Sequence, residues 1–516
     1  MIERKIVIGF IVSTEYIKRV YNVINTRLLQ SVAARKLVDW CLEYYDEFKQ
    51  APGQDIEGIF YEKLKTDKYL SKDLAEEIEQ DILPSLSGEY EDSQFNVDYL
   101  IRKTEKYFNT QHLLQISSKI KSLAEENNVL EAEKLITTYK SPIKIQEAGL
   151  DLSSDDAIQR IEQAFTYSGK RVVCYPRQLG TFWNDSLVRE GFVAFMAPEK
   201  RGKTFRLLDI SMRARKQGAK VAFFQAGDMT EFGMLKRIAI YLAKKHYKKR
   251  YCGKMLEPVL DCILNQFDDC DDEDRECDFG VFSRNEKNEK ELRYDVTLEE
   301  LKTKYKENPD YISCRNCKKY ESNKWGCLWL KEIDVGKPLT VKEAQQVVTD
   351  FFVKNKRQFK LSTHITGTLT VQLARSILDI WEKEDGFVPD LIAFDYADIM
   401  EDFTMKEFRH KQNKIWADMR GLSQEKNCLV ITGTQANAKS YTSNLLKLDN
   451  FSEDKRKFAH VTAMYGLNQD TKGREKDLGI MRINELVVRE DDFNVSRQVF
   501  VLQNLRRGQP FLGSYW

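Results

Sequence analysis

The chain has 516 residues, 42% of them hydrophobic, and its 81 Lys and Arg nearly cancel its 80 Asp and Glu, leaving a formal net charge of +1. That length allows two or three domains, each with a core of its own, while the charge balance excludes a globally basic nucleic-acid binder and makes any DNA contact local. No apolar run reaches the roughly 18 residues of a membrane span, and the first residues lack the apolar stretch and small-residue cleavage site of a signal peptide.

Residues 1–145 are predicted to be helical. Ile2-Glu-Arg-Lys-Ile-Val-Ile-Gly-Phe-Ile-Val12 and Arg35–Phe48 carry apolar residues at helical spacing. Pro142 and the polar run Asp151–Asp156 mark a linker over residues 146–170, which contains a short amphipathic helix, Asp155–Phe165. From 171 to 516 the pattern changes to apolar strands alternating with helices, an α/β arrangement.

Residues 191–204 read Gly-Phe-Val-Ala-Phe-Met-Ala-Pro-Glu-Lys-Arg-Gly-Lys-Thr. An apolar strand runs into a loop, Ala197, Pro198, Glu199, Lys200, Arg201, Gly202, Lys203 and Thr204, that has the composition of a phosphate cradle. Its backbone N–H groups and the following helix N-terminus suit phosphates, Lys203 suits the β- and γ-phosphates, and the Thr204 hydroxyl suits Mg²⁺. Ala197 departs from the usual Gly. The helical run Thr204–Gly218 and the apolar strand Lys220–Ala226 complete a βαβ unit. Asp228 follows that strand, where it can orient water for in-line attack or cap the next helix. Downstream, Leu391-Ile-Ala-Phe-Asp395 ends an apolar strand in an acid suited to Mg²⁺, and Cys428–Gln435 ends another in an amide that can sense the γ-phosphate.

Between these segments, residues 247–335 form a charged, irregular insertion that holds most of the ten cysteines. Cys314, Cys317 and Cys327, with Cys270 or Cys277, could supply four thiolates for structural Zn²⁺ in a segment too polar to build a core. Reduced loop cysteines are the alternative. Cys41, Cys174 and Cys428 read as core residues.

The order of these segments resembles the hexameric replicative DNA helicases of the DnaB type, with their RecA-like ATPase core. Val221–Met229 resembles the family's strand that ends in a catalytic acid, a Glu there and the shorter Asp228 here. Leu391–Met400 resembles its Walker B strand, Lys414–Asn437 its helix and sensor strand ending in Gln435, and Gly479–Arg489 the strand bearing the arginine finger. Arg489 is therefore the expected finger, although Val487 replaces the family's Lys, and Arg506 and Arg507 are alternatives. The resemblance implies ATP and Mg²⁺ as cofactors, Lys203, Asp228, Asp395, Gln435 and Arg489 in catalysis, and 5′-to-3′ movement on single-stranded DNA. It implies a hexameric ring, a helical collar from residues 1–145 and a linker helix docked on the neighbouring subunit. Primase and a helicase loader are implied as partners, and the cytoplasm of a phage-infected bacterium as the location. Channel loops would be Met405–Lys411 and Lys439–Lys457. A RecA-type recombinase or mediator, or a nucleotide-dependent scaffold or loader, shares enough of these features to stand as an alternative.

Overall fold

The computed structural model describes residues 2–21, 24–66, 70–83, 97–128, 131–132, 135, 152, 158, 161–162, 164–165, 170–273, 275–283, 296–315, 326–353, 358–450, 455–489 and 494–516. The chain divides into two compact units, Met1–Phe165 and Thr166–Trp516.

The described part of the first unit is helical, as its apolar spacing predicts. Helices Ile2–Val12, Val32–Phe48, Asp55–Thr66 and Val97–Glu125 surround a core of Phe10, Tyr16, Leu37, Trp40, Phe60 and Phe108. Ser31 caps the second of these by accepting from the Ala34 N–H at 3.1 Å, and Lys49 ends it in the left-handed conformation. Gly9 lets helices pack closely: a Cβ there would lie 2.6 Å from Leu100 and 2.8 Å from Tyr16. The predicted linker helix falls mostly outside the described residues. Those of its residues that are described include the exposed Ile158, Ile161 and Phe165.

The second unit is built on a nine-stranded sheet, with a two-stranded pair beside it. In chain order the strands are β1 (Phe192–Ala197), β2 (Val221–Gln225), β3 (Lys254–Cys262), β4 (Gly326–Asp334), β5 (Phe359–Thr363), β6 (Leu391–Asp395), β7 (Leu429–Gln435), β8 (Ala463–Asn468), β9 (Ile480–Val488), β10 (Gln498–Asn504) and β11 (Gln509–Tyr515). β3 and β4 form the pair, and the spatial order of the large sheet is β11-β10-β9-β8-β1-β7-β6-β2-β5. Strands from β8 to β5 in this order run parallel, and β9, β10 and β11 continue as an antiparallel meander. This is the mixed α/β fold that the sequence predicts.

Alternation along β1 builds two cores. Val193, Phe195 and Ala197 face one with Leu207, Leu208 and Ile210 of helix Lys203–Lys216. Phe192, Ala194 and Met196 face the other with Leu378 of helix Val371–Asp385 and Trp416 of helix Phe408–Glu425. Both faces are covered, so the central strands are apolar throughout rather than alternating with polar residues.

The region between helix Glu231–Ala243 and β5 corrects the expectation of a coreless insertion. β3 and β4 pair antiparallel along their whole length. Leu260, Phe267, Phe282, Tyr311 and Trp329 form a core with Ile480, Leu502 and Tyr515 of the main sheet. The apolar residues were hidden among charged loops, and folding gathers them. Cys277 is buried in this cluster and Cys270 packs against it. Cys314 and Cys327 lie beside the buried Asp261: Cys314 donates its N–H to Asp261 Oδ1 at 2.8 Å, and Cys327, which also packs against this cluster, pairs across the strands with Asp261. Cys317, the remaining member of the proposed four-thiolate set, lies outside the described residues. Among the described residues no group of His, Cys, Asp and Glu is arranged to hold a metal ion. Cys41 and Cys428 are buried as expected, whereas Cys174 is exposed, in a loop whose backbone pairs with the Gln217 side chain.

Candidate active site

β1, β6, β2 and β7 are parallel, so their carboxyl ends open on one edge of the sheet, where such folds bind ligands. The predicted phosphate loop leaves β1 at this edge. Lys200 (φ 58°) and Gly202 (φ 88°) adopt left-handed backbone conformations, and helix Lys203–Lys216 starts directly after Gly202. Ala197 stays inside the strand, paired with Gln435, and is fully buried. That position needs no positive φ, which explains why Ala serves there in place of Gly.

Lys203 is 8% exposed. Its ammonium donates to the carbonyls of Ala197 at 3.0 Å and Pro198 at 3.3 Å and lies 5.4 Å from the centre of the Tyr396 ring. Burial lowers its pKa, while Asp398, Asp395, Asp228 and Glu199 pull the other way. The Thr204 hydroxyl donates to Asp395 Oδ1 at 3.0 Å, so the two expected metal-holding side chains meet although 191 positions separate them. Asp395 is wholly buried, and burial raises its pKa to about 7. A hydroxyl and a carboxylate side by side form the all-oxygen donor set that Mg²⁺ prefers, and a cation would favour the ionised acid that burial opposes.

Gln435 ends β7 beside the loop: its amide donates to Glu199 Oε1 at 3.0 Å, and its backbone N–H donates to Asp398 Oδ2 at 2.6 Å. Asp228 is exposed just past β2, close enough to act electrostatically on Lys203 and Asp395. It does not cap the following helix. Thr230 does, accepting from the Gly233 N–H at 3.2 Å.

Four residues at this edge had been given no role from the sequence, although all but Arg237 lie in the segments that carry the resemblance. Gln225, fully buried at the end of β2, donates to Asp395 Oδ2 at 3.0 Å. Arg237 stacks on Phe205 at 4.3 Å and faces Asp395 and Asp228, with burial lowering its pKa. Tyr396 lies under the Lys203 ammonium. Asp398 accepts from Thr434, Gln435 and Lys457. Cross-strand register creates these neighbours, for example Gln225 opposite Asp395, and spacing along one strand cannot reveal them.

The outlying residues fare differently. Lys457 is 1% exposed, paired with Asp398 at 3.0 Å and 5.5 Å from the Trp416 ring centre, so it is no channel-facing cation. Lys406 and Arg409 in the other expected loop are exposed. β9 runs antiparallel to β8, which carries Arg489 to the sheet edge opposite the phosphate loop, where its guanidinium donates to the Ala459 carbonyl. β10 returns, and its end carries Leu505–Arg507 back to the loop's edge: a Cβ on Gly202 would lie 3.8 Å from Leu505 Cδ1. Arg507 is paired with Glu257, and Arg506 is exposed.

No helix among the described residues is long and apolar enough to cross a membrane. No protein-family model matches the chain, and no curated protein matches it. Among solved structures, a DnaB-like replicative helicase studied with its interactions with primase aligns over 98% of both chains, with a TM-score of 0.51 and 11% identity. A second solved structure, an ATPase domain, aligns over all of its own length and 70% of this chain, at a TM-score of 0.43 and 10% identity. The first likeness extends over both units and shows that the chain has the fold of a DnaB-like replicative helicase.

Proposed function

We propose that the protein is an ATP-driven replicative DNA helicase that forms a ring and moves 5′ to 3′ on single-stranded DNA. The observation that carries this reading is the meeting of Lys203, Thr204 and Asp395 at the ligand edge of a sheet with this fold.

The loop's N–H groups bind the phosphates, and Lys203 leaves the carbonyls of Ala197 and Pro198 to neutralise them. Thr204 and Asp395 would hold Mg²⁺, which supplies charge neutralisation at the phosphate oxygens. Asp228 orients a water against the γ-phosphorus. The new P–O bond forms as the bond to the β,γ-bridging oxygen breaks, giving ADP and phosphate. Gln435 senses the γ-phosphate. Arg489, exposed at the end of β9, is the proposed finger acting on a neighbouring subunit's ATP, with the exposed Arg506 as the alternative. The exposed Ile158, Ile161 and Phe165 support a linker helix that docks on that neighbour. Lys406 and Arg409 suit the DNA backbone. Primase and a loader are proposed partners, and the bacterial cytoplasm, with a phage source, is the proposed setting. Zn²⁺ has no support among the described residues and is not proposed.

The test is phosphate release with and without single-stranded DNA, with Lys203→Ala and Asp395→Asn as controls, followed by unwinding of a forked duplex. DNA-stimulated hydrolysis that both variants lose, with unwinding that needs the 5′ tail, is the expected result. Stimulated hydrolysis with filaments and no unwinding would replace the helicase with a recombinase. Nucleotide binding without stimulation would replace it with a scaffold.

A further inference from the structure

Beside the turn that carries Arg506 and Arg507, one surface segment concentrates charge in a chain whose overall charge is nearly zero. Residues 244–251 read Lys-Lys-His-Tyr-Lys-Lys-Arg-Tyr. The segment begins where Lys244 ends helix Glu231–Ala243 in the left-handed conformation, with its carbonyl accepting from Arg507 at 2.9 Å. It is held in shape from within. His246 Nδ1 accepts from the Lys248 N–H at 2.9 Å, and the Cys252 thiol donates to the His246 carbonyl at 3.2 Å.

Lys244, Tyr247, Lys248, Lys249 and Arg250 are exposed. Lys245 is paired with Glu343 at 2.9 Å. The other four cations have no carboxylate partner among the described residues. The rings lie between these charges. Tyr247 is 45% exposed and stacks on His246, with centroids 4.6 Å apart and planes 26° apart. The ammoniums of Lys236 and Lys248 each lie 5.8 Å from its centre. Tyr251 meets His246 edge-on at 4.9 Å and takes the Arg250 guanidinium at 4.7 Å. Burial, Lys248 and Arg250 all lower the pKa of His246, so near neutral pH the ring is an uncharged stacking partner.

We infer that Lys244–Tyr251, with Lys236 beside it, is a binding surface for single-stranded nucleic acid that is separate from the proposed channel loops. Cations without a carboxylate partner meet the phosphates, and the half-exposed Tyr247 ring takes a base, the flexible lysine chains over it moving aside to the phosphates. This pairing of backbone charge with a stacking platform binds single strands without reading sequence. An acidic protein segment would use the cations and leave the ring faces idle. The inference needs no ATP hydrolysis, so it stands or falls apart from the helicase reading.

The experiment is fluorescence anisotropy of labelled oligo-dT with the full chain, without nucleotide, across a salt series. Three proteins are compared: wild type, Lys248→Gln/Lys249→Gln/Arg250→Gln, and Tyr247→Ala. Removing three phosphate contacts should make the slope of log K against log salt shallower by about 2. Tyr247→Ala should weaken binding about tenfold and leave the slope unchanged. Basal ATP hydrolysis and light-scattering mass should be unaffected in both variants. Wild-type affinity and slope in both variants would overturn the proposal. So would loss of binding that accompanies loss of mass, because the segment would then be a contact between copies. Competition by poly-glutamate as strong as by oligo-dT of equal charge would overturn it in favour of an acidic protein partner.

Discussion

Asp395 and Asp261 are both buried carboxylates, and they differ in how many donors reach them. Asp261, in the insertion, accepts from the N–H groups of Cys262 and Cys314 and from the side chains of Asn265, Gln266 and Tyr311. Asp395, at the sheet edge, accepts from Thr204 and Gln225. Burial raises the pKa of both. The five donors around Asp261 saturate its lone pairs and tie β3 to the loop before Cys314, so it serves as the insertion's organising centre. The two donors at Asp395 leave lone pairs open toward the phosphate loop. Donor count, more than burial, separates the acid that holds a fold together from the acid available to a cation.

Three outcomes would break or sharpen this contrast. The largest concerns chemistry. Asp395→Asn should cut ATP hydrolysis by on the order of 100- to 1,000-fold, read as steady-state phosphate release. Asp261→Asn should change it only a few-fold. Equal losses would mean that the insertion's acid reaches the site and that donor count does not separate the two.

The next is pH. Asp395 titrates near 3.8 when unfolded and about 7 when folded, so between those values the native state binds the extra proton. Stability of the nucleotide-free protein should therefore fall as pH rises from about 4 to about 7, by up to about 4 kcal/mol, and level off above. Asp395→Asn should flatten that window in urea titrations. A wild-type slope in this variant would assign the proton elsewhere.

The smallest is local. Asp261→Ala leaves its donors without an acceptor and should destabilise the second unit by about 3 kcal/mol, measured by urea denaturation. A change below about 0.5 kcal/mol would show that water replaces the carboxylate at no cost.

The sheet's central strands were legible in sequence because burial on both faces makes them continuous apolar runs, and the site residues at their ends stand out as polar punctuation. The phosphate loop was legible through Gly202-Lys203-Thr204. Gln225 and Arg237 were not, since each reads as ordinary strand or helix polarity until register sets it against Asp395. Lys457 looked like one more cation in a basic run, and only the fold buries it on Asp398. The sheet edge that Arg489 reaches was not legible, because strand direction sets it. The insertion's core was missed because Leu260, Phe282 and Trp329 are scattered through charged sequence.

The antiparallel meander has a consequence for synthesis. Leu179 donates its N–H to the hydroxyl of Ser514, 335 residues later, and Arg206, beside the phosphate loop, donates to the carbonyl of Pro510, 304 residues later. Contacts so distant in sequence close late and slowly. A ribosome that has already made β1 and its loop must add some three hundred residues before that loop's flank exists. For most of that time β8 has not been made either, so the half-made sheet presents the β1 edge unpaired, the state most open to chaperones and to mispairing with another nascent copy.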